Sequence, residues 1–121
     1  MLNLVTNRDG EGAAVLIRSC EPVAGHALIR RRRGGKDGPV LLTGPGKVAQ
    51  ALGIDTGFSG CPLFRKGGLE VRRGRSVTEI AVGSRVGIGY AKPEHQHAEW
   101  RLAEAGSPWV SHARELRGEA R

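Results

Sequence analysis

Two β-rich runs, Leu2-Asn3-Leu4-Val5-Thr6 and Ala13-Ala14-Val15-Leu16-Ile17-Arg18, flank Asn7-Arg8-Asp9-Gly10-Glu11-Gly12, whose Asp-Gly pair favours a positive-φ turn. The pattern predicts an antiparallel hairpin. Ala13 to Ile17 are apolar without a break, which predicts a strand covered on both faces, with Arg18 emerging at its end. Pro22 suits a first helical position, and Val23, Ala27 and Leu28 recur at helical spacing before Gly34-Gly35. That predicts a short helix with Arg30-Arg31-Arg32-Arg33 in its last turn. There the cations either serve the helix dipole and its unpaired carbonyls or form a solvated face open to phosphate.

The stretch Leu41 to Gly53 is the most informative one. Thr43 or Gly44 can cap a helix, Pro45 can start it, Val48, Ala51 and Leu52 form its apolar stripe, and Gly53 suits the position just past its end. Strand-like segments follow at Val77 to Val82, Arg85 to Tyr90 and Trp100 to Glu104, separated by Gly, Pro and polar turns. From His112 to Arg121 the chain is charged and predicted to fray. No repeat, low-complexity tract or linker divides it. Aromatics are 4% of the 121 residues and glycines number 19. The core must therefore come from Val, Leu, Ile and Ala in many short elements, not from a long helical bundle.

Nineteen Lys and Arg against twelve Asp and Glu give a formal charge of +7, enough to steer phosphate-bearing partners, so nucleic acid leads the partner classes. The plainer alternative is that the charge only solubilises. Cys20 and Cys61 lack zinc spacing and are too few for a secreted disulfide framework, which points to a reducing cytoplasm. No apolar run approaches the ~20 residues that span a bilayer, and the first residues have no signal-peptide pattern. A membrane role is not expected.

Thr43-Gly44-Pro45-Gly46-Lys47 puts free backbone N–H groups and a helix N-terminus beside a lysine, a combination suited to one phosphate. An ordinary helix cap explains the pattern equally well. It is not a P-loop, because Lys47 is followed by Val48 and the glycines are too close. Arg85-Val86-Gly87-Ile88-Gly89-Tyr90 has half of a dinucleotide fingerprint, yet Pro93 and Glu94-His95-Gln96-His97 argue against a following helix. Its glycines suit close approach of another backbone, of protein or DNA. His95, His97 and Glu99 alternate but lack further ligands, so no metal site is predicted. The two cysteines have no predicted base partner and read as small apolar residues.

Taken together, Leu2 to Thr6, Ala14 to Pro22, Leu42 to Ile54, Ser84 to Gly89, and Trp100-Arg101-Leu102 followed by Gly106-Ser107-Pro108-Trp109-Val110-Ser111 resemble, in order and spacing, the alkyladenine (3-methyladenine) DNA glycosylase family. The resemblance reaches about Ser111. It implies an α+β fold, mainly antiparallel sheet with short flanking helices, in a single domain over residues 1–111, with 112–121 as a tail. It implies no metal or organic cofactor, double-stranded DNA carrying alkylated or deaminated purines as partner, and hydrolysis of the N-glycosidic bond of a flipped base. Arg18 matches the arginine that helps hold the catalytic water and contacts DNA; otherwise it is a strand-end arginine paired with a carboxylate. Asn3 matches a base-pocket asparagine; otherwise it is a half-buried amide bonded to backbone. Lys47, with Gly44 and Gly46, matches the phosphate-contacting turn, and Arg85 and Gly87 fall on a closing strand expected near DNA.

The family's general-base glutamate, pocket aromatics and wedge tyrosine lie upstream of the segment matching Asn3. None of Glu11, Glu21, Glu70, Glu79, Glu94 or Glu99 stands in the glutamate motif. Residues 57–75 diverge from the family, and Leu102 replaces an aromatic. The expectation is a cytoplasmic protein, nucleoid-associated on DNA, truncated relative to its family and catalytically incomplete, acting as a monomer or needing a missing N-terminal half. The rival from another class is a non-catalytic basic nucleic-acid-binding fragment. An RNA-binding module is disfavoured, since five aromatics in all leave few for stacking.

Overall fold

A computed structural model describes residues 1–119. The fold is α+β, built of short helices and antiparallel strands. The backbone groups into two compact units, 1–74 and 75–121. The boundary falls inside the glycine- and arginine-rich stretch 57–75, where the sequence shows no conventional linker.

In the first unit, strands β1 (Asn3–Val5) and β2 (Ala14–Leu16) pair antiparallel, Asn3 opposite Leu16 and Val5 opposite Ala14, as the hairpin pattern predicts. Gly10 supplies the positive φ of the turn at 89°, and the Asn7 amide donates to Glu11 across it at 3.3 Å. The expectation that β2 is covered on both faces is corrected. Val15 remains 52% exposed and Val5 76%, because among the described residues β1 is the only strand paired with β2 and neither of these side chains is packed into the core. Helix α1 spans His26–Arg32, not the longer stretch begun at Pro22. Gly25 precedes it in the left-handed conformation, φ 77°, so the helix cannot be continued back to Pro22, and Val23 is left 91% exposed. Gly34 and Gly35 end the helix with positive φ, the Gly35 N–H donating to the Arg30 carbonyl at 2.8 Å.

Helix α2 (Pro45–Leu52) follows its sequence signature closely, with Gly44 before it, Pro45 in the first turn and Gly53 ending it at φ 67°. Val48 and Ala51 are fully buried and pack with Leu41, Leu42 and Ile29 into the unit's core, while Leu52 is 41% exposed.

The arginine run between the helices is not a uniformly solvated face. Arg33 is buried, donating through Nε to the Leu41 carbonyl at 3.0 Å and through Nη1 to the Gln50 amide oxygen. Arg32 donates to the Ala51 carbonyl at 3.1 Å, at the end of α2. These carbonyls lack helical partners, and a guanidinium fork is shaped to satisfy them. Arg30, in a loose pair with Asp37 at 3.7 Å, and Arg31 are exposed, as is Arg32 apart from its bond to Ala51.

In the second unit, β3 (Ile80–Gly83) lies between β4 (Arg101–Glu104) and β5 (Arg117–Glu119), antiparallel to both. The predicted strand at Val77 to Val82 is thus shifted, and Arg85 to Tyr90 is irregular instead of extended. Gly87 and the flanking turn carry a positive φ of 75°, which breaks the strand. Pro93 does not end regular structure: it opens a short helix, α3 (Pro93–His97), as a proline at a first helical position can.

The stretch expected to fray from His112 onward carries regular structure in its described part. Residues 113–115 form a 3₁₀ turn and β5 pairs with β3. The cause is Arg101, 5% exposed, whose guanidinium donates to the carbonyls of Ser111 at 3.2 Å and His112 at 3.4 Å and reaches the Glu115 carboxylate at 3.4 Å. Gly83 lets this segment approach, since a Cβ there would stand 2.8 Å from the Glu115 carbonyl oxygen. Residues 120 and 121 lie outside the described residues. No helix among the described residues is long and apolar enough to cross a membrane.

Candidate nucleic-acid interface

Four of the candidate positions share one neighbourhood through backbone alone. Beyond β2 the chain continues to Ser19, which forms an isolated antiparallel bridge with Thr43, and the Cys20 N–H donates to the Leu42 carbonyl at 3.3 Å. In an antiparallel bridge the residue before one partner faces the residue after the other. Arg18 and Gly44 therefore flank Ser19 and Thr43 on the same side. Gly44 leads directly into Gly46 and Lys47, in the first turn of α2. Asn3 joins from the hairpin, two residues removed from Arg18 through its pairing with Leu16.

The turn has the anatomy of an anion cradle. Pro45 has no N–H, and the N–H groups of Gly46 and Lys47 lie in the first helical turn, which has no carbonyl partners of its own. The Lys47 stem folds back over Gly44, its Cδ 3.4 Å from where a Cβ on Gly44 would sit. Nothing lies within 4 Å of the corresponding point on Gly46, so a ligand can approach the backbone there.

Arg18 is half-buried, and its Nε is buried without a hydrogen-bond partner. No ion pair engages it among the described residues. The alternative of a strand-end arginine paired with a carboxylate is therefore not what the structure contains. Asn3 is exposed, not half-buried, and its amide makes no hydrogen bond among the described residues. An orphaned guanidinium N–H costs free energy unless something outside the chain accepts from it.

Arg85 and Gly87 belong to the second unit. Arg85 also has a buried, unpartnered Nε; its Nη2 donates to the His95 carbonyl at 3.4 Å, and its guanidinium lies 5.2 Å from the centre of the Trp100 ring. His95 packs against the same ring, 5.6 Å between centroids. This cation–π stack fixes Arg85 beside a tryptophan that is 61% exposed. Sequence reading missed the stack, because α3 lies between Arg85 and Trp100 in the chain and Pro93 argued against that helix. Gly87 is open, with nothing within 4 Å of its Cβ direction.

No cluster of three or more His, Cys, Asp or Glu among the described residues could hold a metal ion. His97 instead donates from Nδ1 to the Pro93 carbonyl at 2.8 Å. Burial raises the Cys20 thiol pKa, so its nucleophilic thiolate form is disfavoured. The carboxyls of Glu70 and Glu104 are pulled below their usual range by hydrogen bonds from Arg72 and Arg75 respectively, opposite to the upward tuning a general base near neutral pH needs. The open pocket of about 300 Å³ in the second unit, lined by Ala81, Ser107, Val110 and Leu116 among others, contains none of the candidate residues.

A basic α+β chain with a lysine-bearing helix-start cradle beside an unpartnered arginine has the features of a nucleic-acid-binding protein. Residues 1–108 match the family model described as methylpurine-DNA glycosylase, and the chain belongs to that family. It is 61% identical over 111 residues to a protein of Nitrosococcus oceani provisionally named a 3-methyladenine DNA glycosylase, covering 92% of this chain and 55% of that one. It is 58% identical over 113 residues to the DNA-3-methyladenine glycosylase of Arabidopsis thaliana, covering 92% of this chain and 44% of the relative. The chain thus spans about half the length of the curated relatives it matches.

Proposed function

We propose that this chain supplies the DNA-contacting part, and one wall of the base pocket, of a DNA glycosylase that excises alkylated or deaminated purines from duplex DNA. The single observation that carries this reading is Arg18: a half-buried guanidinium with an unpartnered Nε, held by the Ser19–Thr43 bridge beside the Gly44–Lys47 cradle. In the proposed arrangement Lys47 and the N–H groups of Gly46 and Lys47 take a phosphate, and Arg18 donates to the flipped nucleotide and the attacking water. Asn3 offers its free amide to the edge of the base, and Arg85 with Gly87 meets the backbone elsewhere. The reaction is hydrolysis: water adds to the sugar carbon as the bond to the base nitrogen breaks, leaving an abasic site. No metal or organic cofactor enters this scheme, and the site of action is the cytoplasm, on the nucleoid.

A second reading, a non-catalytic DNA-binding protein, is favoured by the carboxylates themselves. Glu70, Glu104, Glu115 and Glu99 are each engaged by an arginine, which competes with the deprotonation of water. One experiment separates the two. Purified chain is incubated with a duplex containing hypoxanthine or ethenoadenine, alone and with the complementary portion of an intact relative, and abasic sites are counted. Excision only with the added portion supports the glycosylase reading, as either a monomer completed in trans or a two-part enzyme. Duplex binding with no excision in either arm supports the second reading. No binding to DNA at low salt overturns both.

A further inference from the structure

The last part of the first compact unit contains a closed basic loop that the proposed site does not use. Leu63 and Val71 are joined by a backbone hydrogen bond, Val71 N–H to Leu63 carbonyl at 2.8 Å, which closes the intervening residues into a loop. Within it the Glu70 carboxylate accepts from the Gly67 N–H at 2.9 Å and from Arg72, so the loop has a defined internal conformation despite having no helix or strand. Phe64, at its start, is 84% exposed. Arg65, Lys66 and Arg73 are exposed and have no partner among the described residues; Glu70 alone opposes the four cations of 64–73, leaving a local charge of +3.

A phenyl ring left in solvent forgoes a large apolar gain, in a chain that has only two Phe, two Trp and one Tyr to bury. Beside it stand unpaired cations with no anion of the chain to meet them. A phosphodiester strand complements the cations, and the face of an unpaired base matches the area of one phenyl ring. A lipid surface would call for a broader apolar face than this single ring.

We propose that the loop 63–73 is a second nucleic-acid contact, in which Phe64 stacks on an unpaired base while Arg65, Lys66 and Arg73 lie along its phosphates. The proposal rests on the DNA-binding reading above but not on the Arg18–Lys47 site. Its effect is to favour DNA that is already locally unpaired, the condition under which a damaged base leaves the helix most readily.

The test measures binding of the full chain by anisotropy to a labelled duplex with an unpaired bulge and to its fully paired counterpart, across a series of salt concentrations. Phe64→Ala is expected to weaken binding to the bulged duplex by about ten-fold, with the salt slope unchanged and little effect on the paired one. Phe64→Trp should retain the preference. Replacing Arg65, Lys66 and Arg73 together by Ser should reduce the log–log salt slope by about 2. All these side chains are exposed, and circular dichroism checks that the variants fold. Variants that bind both duplexes as the parent does would overturn the loop while leaving the main site standing. So would loss of binding confined to phosphatidylserine vesicles, with DNA binding intact. A parent that binds neither duplex at low salt overturns the DNA-binding reading and the loop together.

Discussion

Arg33 and Arg18 lie in the same compact unit, and their surroundings are opposite. Arg33 comes from a run of four arginines that looks like a phosphate-binding patch, yet it is 9% exposed and bonded to the Leu41 carbonyl and the Gln50 amide. Arg18 is a lone arginine at the end of an apolar run, and its buried Nε has no partner. Charge density along the sequence therefore does not tell which guanidinium the fold leaves without a partner. What separates the two is whether the fold presents unpaired carbonyls, as Leu41 does for Arg33 and the end of α2 does for Arg32, or an open helix start, as the Gly44 turn does beside Arg18.

The largest test of that contrast is Arg33→Met. It keeps the aliphatic bulk but strands the Leu41 carbonyl and the Gln50 amide, so the unfolding free energy should drop by about 2–4 kcal/mol in a denaturant titration. Phosphate affinity should be unchanged once the protein is folded. A marked loss of DNA binding with stability intact would reverse the assignment. Gly53→Ala presses on the same helix junction from another side. Gly53 has φ 67°, and a Cβ there would stand 2.9 Å from the Arg32 guanidinium, so a loss of about 1–2 kcal/mol is expected. A stability equal to the parent's would show that Arg32 is not needed where it lies.

Little of this helix junction was legible in the sequence, and the reason is physical. Pro45 and Gly53 fix the limits of α2 by local backbone preference, which sequence displays directly. The burial of Arg33 depends on where the Leu41 carbonyl ends up, and that is a tertiary fact. Arg101 is the same case: its side chain orders residues 111–115, while the charged tail composition argued for fraying. Of the candidate site, the Gly44–Lys47 turn was readable from capping chemistry. Arg18 could be nominated only through family resemblance, since its lack of a partner is visible only in three dimensions. The Arg85–Trp100 stack had no signal in either, because the intervening α3 begins at a proline that usually marks an interruption.

Arg18→Met should behave inversely to Arg33→Met. Stability is expected to stay within about 0.5 kcal/mol of the parent, because no hydrogen bond within the chain is lost. Affinity for a hypoxanthine-containing duplex should fall by about ten-fold, as loss of one charged hydrogen bond implies. Equal affinity for parent and variant would remove Arg18 from the interface.

The smallest effect belongs to a third kind of arginine, exposed and paired. Arg75 makes two bonds of 2.6 Å to the Glu104 carboxylate and holds its pKa below the usual range. The unfolded chain then binds a proton more readily than the folded one, so the pair stabilises above the ordinary carboxylate pKa and loses its contribution as pH falls through the lowered value. The thermal midpoints of Arg75→Ala and the parent should therefore differ slightly at neutral pH and converge in strong acid. A gap that persists in acid would assign the effect to packing.

The Ser19–Thr43 bridge sets an angular phase. It anchors one end of the turn with backbone groups, while α2 begins two residues beyond Thr43 and advances about 100° with every residue added. One residue inserted between Thr43 and Lys47 would break no bond of the bridge, yet it would turn Lys47 by more than a quarter revolution relative to Arg18. Substitutions within the turn can be absorbed one by one; a change in its length cannot, because the two cations would then address different faces of any strand laid across them.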